Sequence, residues 1–151
     1  MAITTAMCNS FKQELLGGVH DMDTDTLKIA LIKETPSGTY GAATTNYSDV
    51  TGNSDEAVGT NYTAGGQVMD TPTDGNSTII NLSGNTVFLD FADEVFTDLT
   101  LSADGAIIYN ASQGNKAVAV FDFGSTVTAT SGDFTVVFPT ADASNAVIRI
   151  T

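Results

Sequence analysis

Apolar residues in this chain come in short runs that alternate with polar ones, and Gly, Asn, Asp, Ser and Thr separate the runs. Alternation with a period of two marks strands that bury one face. Segment 26–33 shows it plainly: Leu27, Ile29 and Leu31 share one face, while Lys28, Ala30 and Ile32 make a mixed second face. The same pattern predicts strands at 66–70, 78–82, 86–91, 94–101, 106–109, 117–123, 134–138 and 146–150. Ser83-Gly84-Asn85 suits a tight hairpin between two of them. Asp104-Gly105 reads as a turn, and 110–116 as a polar loop, so the runs on either side form a meander. Pro139 closes its run, where a strand tolerates proline.

Two stretches break the alternation. In 6–16, Met7, Phe11 and Leu15 recur at a spacing of four, which predicts a helix with one apolar stripe. Thr4 or Thr5 stands where a cap is wanted, and Gly17-Gly18 supplies the stop. Segment 34–55 has no clear period and contains Pro36, Gly38, Gly41 and Gly52. It is expected to be a long loop with at most a short strand near 47–50. Loops of this length inside a domain usually carry function, so the segment is a candidate arm reaching a neighbour.

About eight to ten short strands at near-regular spacing point to a mainly β fold, an antiparallel jelly-roll-like sandwich or barrel with one short N-terminal helix. The 151 residues suit one domain, with 1–18 as an N-terminal helical arm. A chain of this length buries about 70% of its unfolded surface and needs no metal or disulfide for stability.

Composition narrows the function. Five basic residues face eighteen acidic ones, a formal charge of −13. Phosphate backbones and anionic membranes are bound by clustered Lys and Arg, so neither nucleic acid nor a membrane surface is an expected partner. Only 15% of residues are charged, and Thr, which occurs 23 times, fills much of the solvated strand surface. Cys8 is the single cysteine, which excludes an intrachain disulfide. Residues 1–8 lack a basic leader segment, so synthesis in a cytoplasm without secretion by the general route is expected. The Asn-x-Ser/Thr triplets at Asn46, Asn61, Asn76, Asn81 and Asn110 are then compositional accidents.

Candidate chemistry is sparse. His20 and Cys8 are the only imidazole and thiol, and neither sits in a nucleophile motif. Cys8 reads as a packing residue, His20 as a surface or interface residue. Asp21-x-Asp23-x-Asp25 opens like a calcium loop but then places Thr26 where Gly is needed and Ile32 where Glu is needed. Asp90, Asp93, Glu94 and Asp98 could pair carboxylates for glycoside chemistry, yet Trp is absent. Glu94 and Asp98 alternate with Val95 and Leu99, as an exposed strand face would. Gly59-Thr60-Asn61-Tyr62-Thr63-Ala64-Gly65-Gly66 lacks the Gly-Lys-Ser/Thr ending of a phosphate loop and instead suits backbone crossing close to backbone. No catalytic, metal or cofactor site is expected.

The opening run Ala2-Ile3-Thr4-Thr5-Ala6-Met7-Cys8-Asn9-Ser10-Phe11-Lys12-Gln13-Glu14-Leu15-Leu16-Gly17-Gly18, segment 26–33, Asn61-Tyr62-Thr63-Ala64-Gly65-Gly66, and Ile107-Ile108-Tyr109-Asn110 followed by 115–123 carry a resemblance. Together they look like a family of small tailed-bacteriophage virion proteins, in order over nearly the whole chain. The resemblance implies a non-enzymatic decoration (cement) protein on the capsid surface that clamps major capsid protein subunits and self-associates as a dimer or trimer. No catalytic residues belong to that family pattern. Met7, Phe11, Leu15, Tyr40, Tyr47 and Tyr62 are the expected interface residues, and removal of 1–18 is expected to leave a soluble β-protein. A tail, baseplate or fibre component binding a host glycan, and a glycan-active enzyme using the acidic cluster, are the rival readings.

Overall fold

A computed structural model describes residues 2–70 and 79–151. The strands are β1 (Ala6–Met7), β2 (Leu27–Lys33), β3 (Gln67–Val68), β4 (Ile80–Ser83), β5 (Thr86–Leu89), β6 (Glu94–Asn110), β7 (Lys116–Val136) and β8 (Ile148–Ile150). Helix α1 spans Asn9–Leu16, α2 spans Ser48–Gly52, and a 3-10 turn spans Ala111–Gln113. All strand pairing is antiparallel, in a five-stranded sheet ordered β1-β7-β6-β2-β3 and a three-stranded sheet ordered β4-β5-β8. The mainly β, two-sheet architecture with a short helix near the N-terminus matches the sequence reading. The jelly-roll strand order does not appear among the described residues, because the eight strands divide five and three around one long β6–β7 hairpin. Thr78 of the predicted strand 78–82, and Asn76, lie outside the described residues.

The β6–β7 hairpin takes in four of the predicted runs, 94–101, 106–109, 117–123 and most of 134–138. Asp104-Gly105 is not a turn: β6 passes straight through it, with a register shift between Ala103 and Gly105. A Cβ on Gly105 would lie 2.3 Å from the Phe121 carbonyl oxygen, so glycine here allows one strand to press against its partner. Asp104 faces outward and accepts from the Thr35 N–H (2.8 Å) and the Thr126 hydroxyl (2.6 Å).

Further irregularities bend the ribbon. Asp98 (φ +51°) and Ser131 (φ +46°) flank the Leu99–Gly132 pair in the ladder, and Gly124 (φ +77°) breaks it again nearer the closed end. The ribbon folds back on itself, so that Phe123 and Phe134 have ring centroids 5.8 Å apart, and Phe121 and Phe138 5.9 Å. The bulge at Asp98 also switches face parity: Glu94 and Phe96 are buried, then Leu99, Leu101 and Ala103. This overturns the expected exposed face at Glu94, where Val95 is outside instead.

The core centres where β2, β6 and β7 run side by side. Ala30 and Ile32 are as buried as Ile29 and Leu31, so β2 is covered on both faces rather than one. Phe11 of α1 and Tyr40, Val50 and Ala57 of the following segment join the same apolar cluster. The N-terminal arm is therefore part of the fold: β1 pairs with β7 at Val120 and Ala119, and Ile3, Cys8 and Phe11 are buried. Helix α1 starts later than expected, with Cys8 rather than Thr4 or Thr5 at its N-cap, because 6–7 are drawn into β1. The Asn9 N–H is satisfied by the Ala42 carbonyl (2.8 Å) in place of a side-chain cap. Gly17-Gly18 ends the helix as expected.

Gly66 justifies the reading of the Gly-rich segment as a close crossing. At φ +66° it lies against β2, and a Cβ there would sit 1.7 Å from the Ile29 carbonyl oxygen. Gly66→Ala is expected to cost about 2 kcal/mol through strain and clash, lowering the melting midpoint by roughly 4–8 °C. A thermal melt that leaves the midpoint unchanged would show that this crossing is not needed.

Candidate functional site

The groups capable of chemistry gather in three hydrogen-bonded networks, each tying irregular chain to the large sheet. The first surrounds His20, which is buried and packs at 4.9 Å between ring centroids on Phe11. The expected surface position is thus overturned: the chain leaving α1 turns the ring inward to cover Phe11. Asn110 is also buried, and its Oδ1 caps the 3-10 turn by accepting from the N–H groups of Ser112 (3.0 Å) and Gln113 (3.2 Å). That fixes the amide orientation, so Nδ2 donates to Asp25 Oδ2 (2.7 Å) and to His20 Nδ1 (3.0 Å). His20 Nε2 consequently carries the proton facing Glu14 Oε2 at 3.1 Å. Glu14 also accepts from Lys116 Nζ (2.5 Å), and that ammonium, with His20, outweighs burial and holds its carboxyl below the usual value.

Asp25, read as a possible calcium ligand, is consumed here. Burial opposes its ionisation, but donors from Asn110, the Asp21 N–H and Gln113 win and lower its pKa. Asp21 turns back onto the Asp23 N–H (3.1 Å), making the run a self-bonded turn. Among the described residues no three His, Cys, Asp or Glu side chains are placed to hold a metal ion.

The second network is built on Asp55, whose side chain is fully buried. It accepts from the Ser37 N–H (3.0 Å), the Gly38 N–H (2.7 Å) and the Tyr40 hydroxyl (2.6 Å), and pairs with Lys33 Nζ at 2.9 Å. Burial alone would raise its pKa; Tyr40, the two N–H donors and Lys33 reverse this and drive it far below the ordinary aspartate value. In return, burial and the adjacent carboxylate push the Tyr40 hydroxyl up to about 12.

Segment 34–55 is accordingly no free arm. Its backbone bonds to the N-terminus (Thr4 N–H to Tyr40 O, 2.9 Å), to β2 (Lys33 N–H to Asp55 O, 2.9 Å) and to the start of β7 (Ala117 N–H to Thr45 O, 3.0 Å). The short strand expected near 47–50 is helix α2 instead. Asp49 Oδ2 accepts from the Thr45 (2.8 Å) and Asn46 (3.2 Å) N–H groups, which winds the chain into a turn before it.

The third network joins three tyrosines through Glu56. Its Oε1 accepts from the Tyr62 hydroxyl (3.0 Å) and the Gly65 N–H (2.6 Å), and its Oε2 from the Tyr47 hydroxyl (2.5 Å). Tyr47 stacks on Tyr109 at 4.5 Å, and the Tyr109 hydroxyl donates to the Gly65 carbonyl (2.7 Å). Burial first, then Glu56, raises the pKa of Tyr47, Tyr62 and Tyr109.

The remaining candidates are similarly occupied. Cys8 is buried and its thiol is pushed up to about 11 by burial, with Lys12 acting weakly the other way. Glu94 accepts from Gln67 Nε2 (2.7 Å) and the Asp70 N–H (3.0 Å), while burial raises its pKa. Asp93 caps the Phe138 N–H (2.8 Å), and Asp98 N–H donates to Asp133 (3.1 Å). The acidic cluster therefore does not converge on one opening.

Of the six expected interface residues, Phe11 and Tyr40 are internal to this chain, where α1 and the Asp55 network hold them. Met7, Leu15, Tyr47 and Tyr62 are half-buried and pack on the core, the two tyrosines facing Glu56. Asp55 and Glu56 gave no sequence signal, since an acidic pair after a polar loop looks like solvated chain. Asn110 ahead of Ala-Ser-Gln-Gly did carry a capping signature, although it reads as ordinary loop.

The fold and these networks define a mainly β protein of two antiparallel sheets stabilised by internal polar hubs. No family model matches the chain, and neither the curated proteins nor the solved structures contain a match to it.

Asp55→Asn is expected to cost about 3 kcal/mol, because the Lys33 ammonium and the convergent donors lose their anion; urea unfolding measures it. The pH sign follows from the depressed pKa. Stabilisation by Asp55 is complete above the ordinary aspartate value of 3.8 and falls away as the pH drops below it. The wild-type stability advantage over Asp55→Asn should therefore shrink in acid. Cys8 should resist iodoacetamide in the native protein and react fully in denaturant; rapid native labelling would contradict its burial.

Proposed function

We propose that this protein is a non-enzymatic structural adhesive, a decoration protein bound to the outside of a phage capsid that stabilises contacts between major capsid subunits. The observation that carries the reading is the consumption of reactive groups inside the molecule alongside apolar side chains left on its surface. His20, Cys8, Asp55, Glu56 and Glu94 all serve internal packing or bonding. Outside, Leu82, Val87 and Ile150 are cross-strand neighbours in the β4-β5-β8 sheet, and Leu82 is 70% exposed. Leu16, at the end of α1, is 91% exposed. Apolar surface of this kind supports contact rather than turnover. The virion setting rests on the resemblance over residues 2–18, 26–33, 61–66, 107–110 and 115–123.

Many modest contacts repeated over a symmetric shell add up to firm attachment, and a bent, internally bonded ribbon is suited to that task. The negative net charge favours a major capsid surface with exposed basic residues and opposes contact with packaged nucleic acid.

Purified heads should contain the protein in near-lattice stoichiometry, and heads lacking it should rupture at lower temperature until it is added back. A few copies located in the tail would favour the glycan-binding alternative. Deletion of 1–18 would remove β1 and Phe11 from the fold, against the expectation that it leaves the β-protein intact. Leu82→Asp with Val87→Asp is the better probe: head binding is expected to weaken about tenfold with an unchanged circular dichroism spectrum. Undiminished binding would remove the β4-β5-β8 face from the contact.

A further inference from the structure

Where β7 curls back on itself a cleft of about 520 Å3 opens. Phe121, Phe123, Phe134 and Phe138 line it, with Val127 and Val137 at the lip. Val137 is 71% exposed, an unusual position for a valine beside an aromatic floor. The cleft lies along a strand edge. One edge of β7 is paired with β6, while the other is covered by β1 only at Val120 and Ala119. Beyond that point, from Phe121 to Val136, the outer edge bonds to no backbone group among the described residues. Side chains cap two of its N–H groups: the Thr5 hydroxyl accepts from the Asp122 N–H at 2.9 Å, and Asp122 Oδ1 from the Gly124 N–H at 2.9 Å.

We propose that this edge and its aromatic cleft receive an extended segment of a partner protein, added to β7 as the strand that follows β1. Its apolar side chains alternate into the cleft and basic residues stand at its ends. The inference rests on the adhesive reading above and names how that adhesive grips. Strand addition uses the bonding groups left open on an edge for affinity and side-chain pockets for selection. β1 already docks by this mode on the same edge, within the protein itself. A free apolar molecule would fill the cleft but leave the strand edge unbonded.

Charge identifies the partner further. Asp122 lines the cleft, Asp93 caps Phe138, and Asp142 bonds Asn145 on the opposite wall. None of the lining residues is basic, and the nearest cation acting there is Arg149, on Asp142. A strand flanked by Lys or Arg complements this rim. A second copy of a chain carrying −13 does not.

The test uses the full chain, isotope-labelled, titrated with a pool of nine-residue peptides. These alternate Val, Ile or Phe with Thr and end in Lys. Saturable amide shifts are expected at 121–123 and 134–137, with slowed hydrogen exchange along the outer edge of β7. Val137→Asp, replacement of the terminal Lys by Glu, and N-methylation of the peptide backbone should each weaken binding about tenfold or more. Absence of saturable shifts overturns the proposal. Equal binding of N-methylated peptides also overturns it, in favour of a site for apolar ligands. Concentration-dependent shifts at the same residues without peptide would identify a second copy as the occupant, against the proposal. The two readings fail separately. Val137→Asp protein that decorates heads undiminished sinks the cleft and spares the decoration function. Peptide binding by a protein absent from particles does the reverse.

Discussion

Strands β6 and β7, of 17 and 21 residues, stay paired from Glu94 opposite Val136 to Asn110 opposite Lys116 while bending back over themselves. A flat ladder of that length would expose both faces of its outer half, so bending is what converts a ribbon into a core. Bulges at Asp98 and Ser131 and the break at Gly124 supply the bend, and the phenylalanines on either side of it meet. β1, β2 and α1 then attach to the closed end of the hairpin. β3 extends the same sheet by pairing with β2.

Irregular chain is the second problem, because a buried loop strands polar backbone groups. Asp55 solves it for segment 34–55 by gathering two N–H donors, a hydroxyl and an ammonium onto one carboxylate. Asn110 does the same for the β6–β7 connection, where it also reaches His20 and Asp25. Such hubs serve as stiffeners: removal of any spoke leaves a buried charge or amide underbonded, so the network moves as one. This is why the scarce titratable groups in these hubs carry raised or lowered pKa values.

Much of the fold is legible in the alternation of residues. Leu27, Ile29 and Leu31 mark β2, Ser83-Gly84-Asn85 marks the β4–β5 hairpin, and Gly17-Gly18 marks the end of α1. The failures share one cause. Local signals report that the backbone departs from regularity but not which departure follows. Asp104-Gly105 carries the same dipeptide signal for a turn as for a bulge inside a strand, and only the Phe121 carbonyl opposite decides between them. Glu94 reads as solvated until the bulge at Asp98 shifts the faces. Tyr40 and Phe11 look like contact anchors because the partners that bury them, Asp55 and His20, are distant in sequence or unremarkable in type. The phenylalanines of the cleft are plain strand residues in sequence; the curl that brings Phe121 to Phe138 is not written locally.

The placement of β1 has a consequence for biogenesis. Ala6 and Met7 leave the ribosome more than a hundred residues before their partners Val120 and Ala119. The sheet edge can close only once β7 has emerged, a contact of long sequence separation that slows folding. During that interval Phe11 and Ile3 are uncovered, which makes chaperone demand and growth temperature natural determinants of yield.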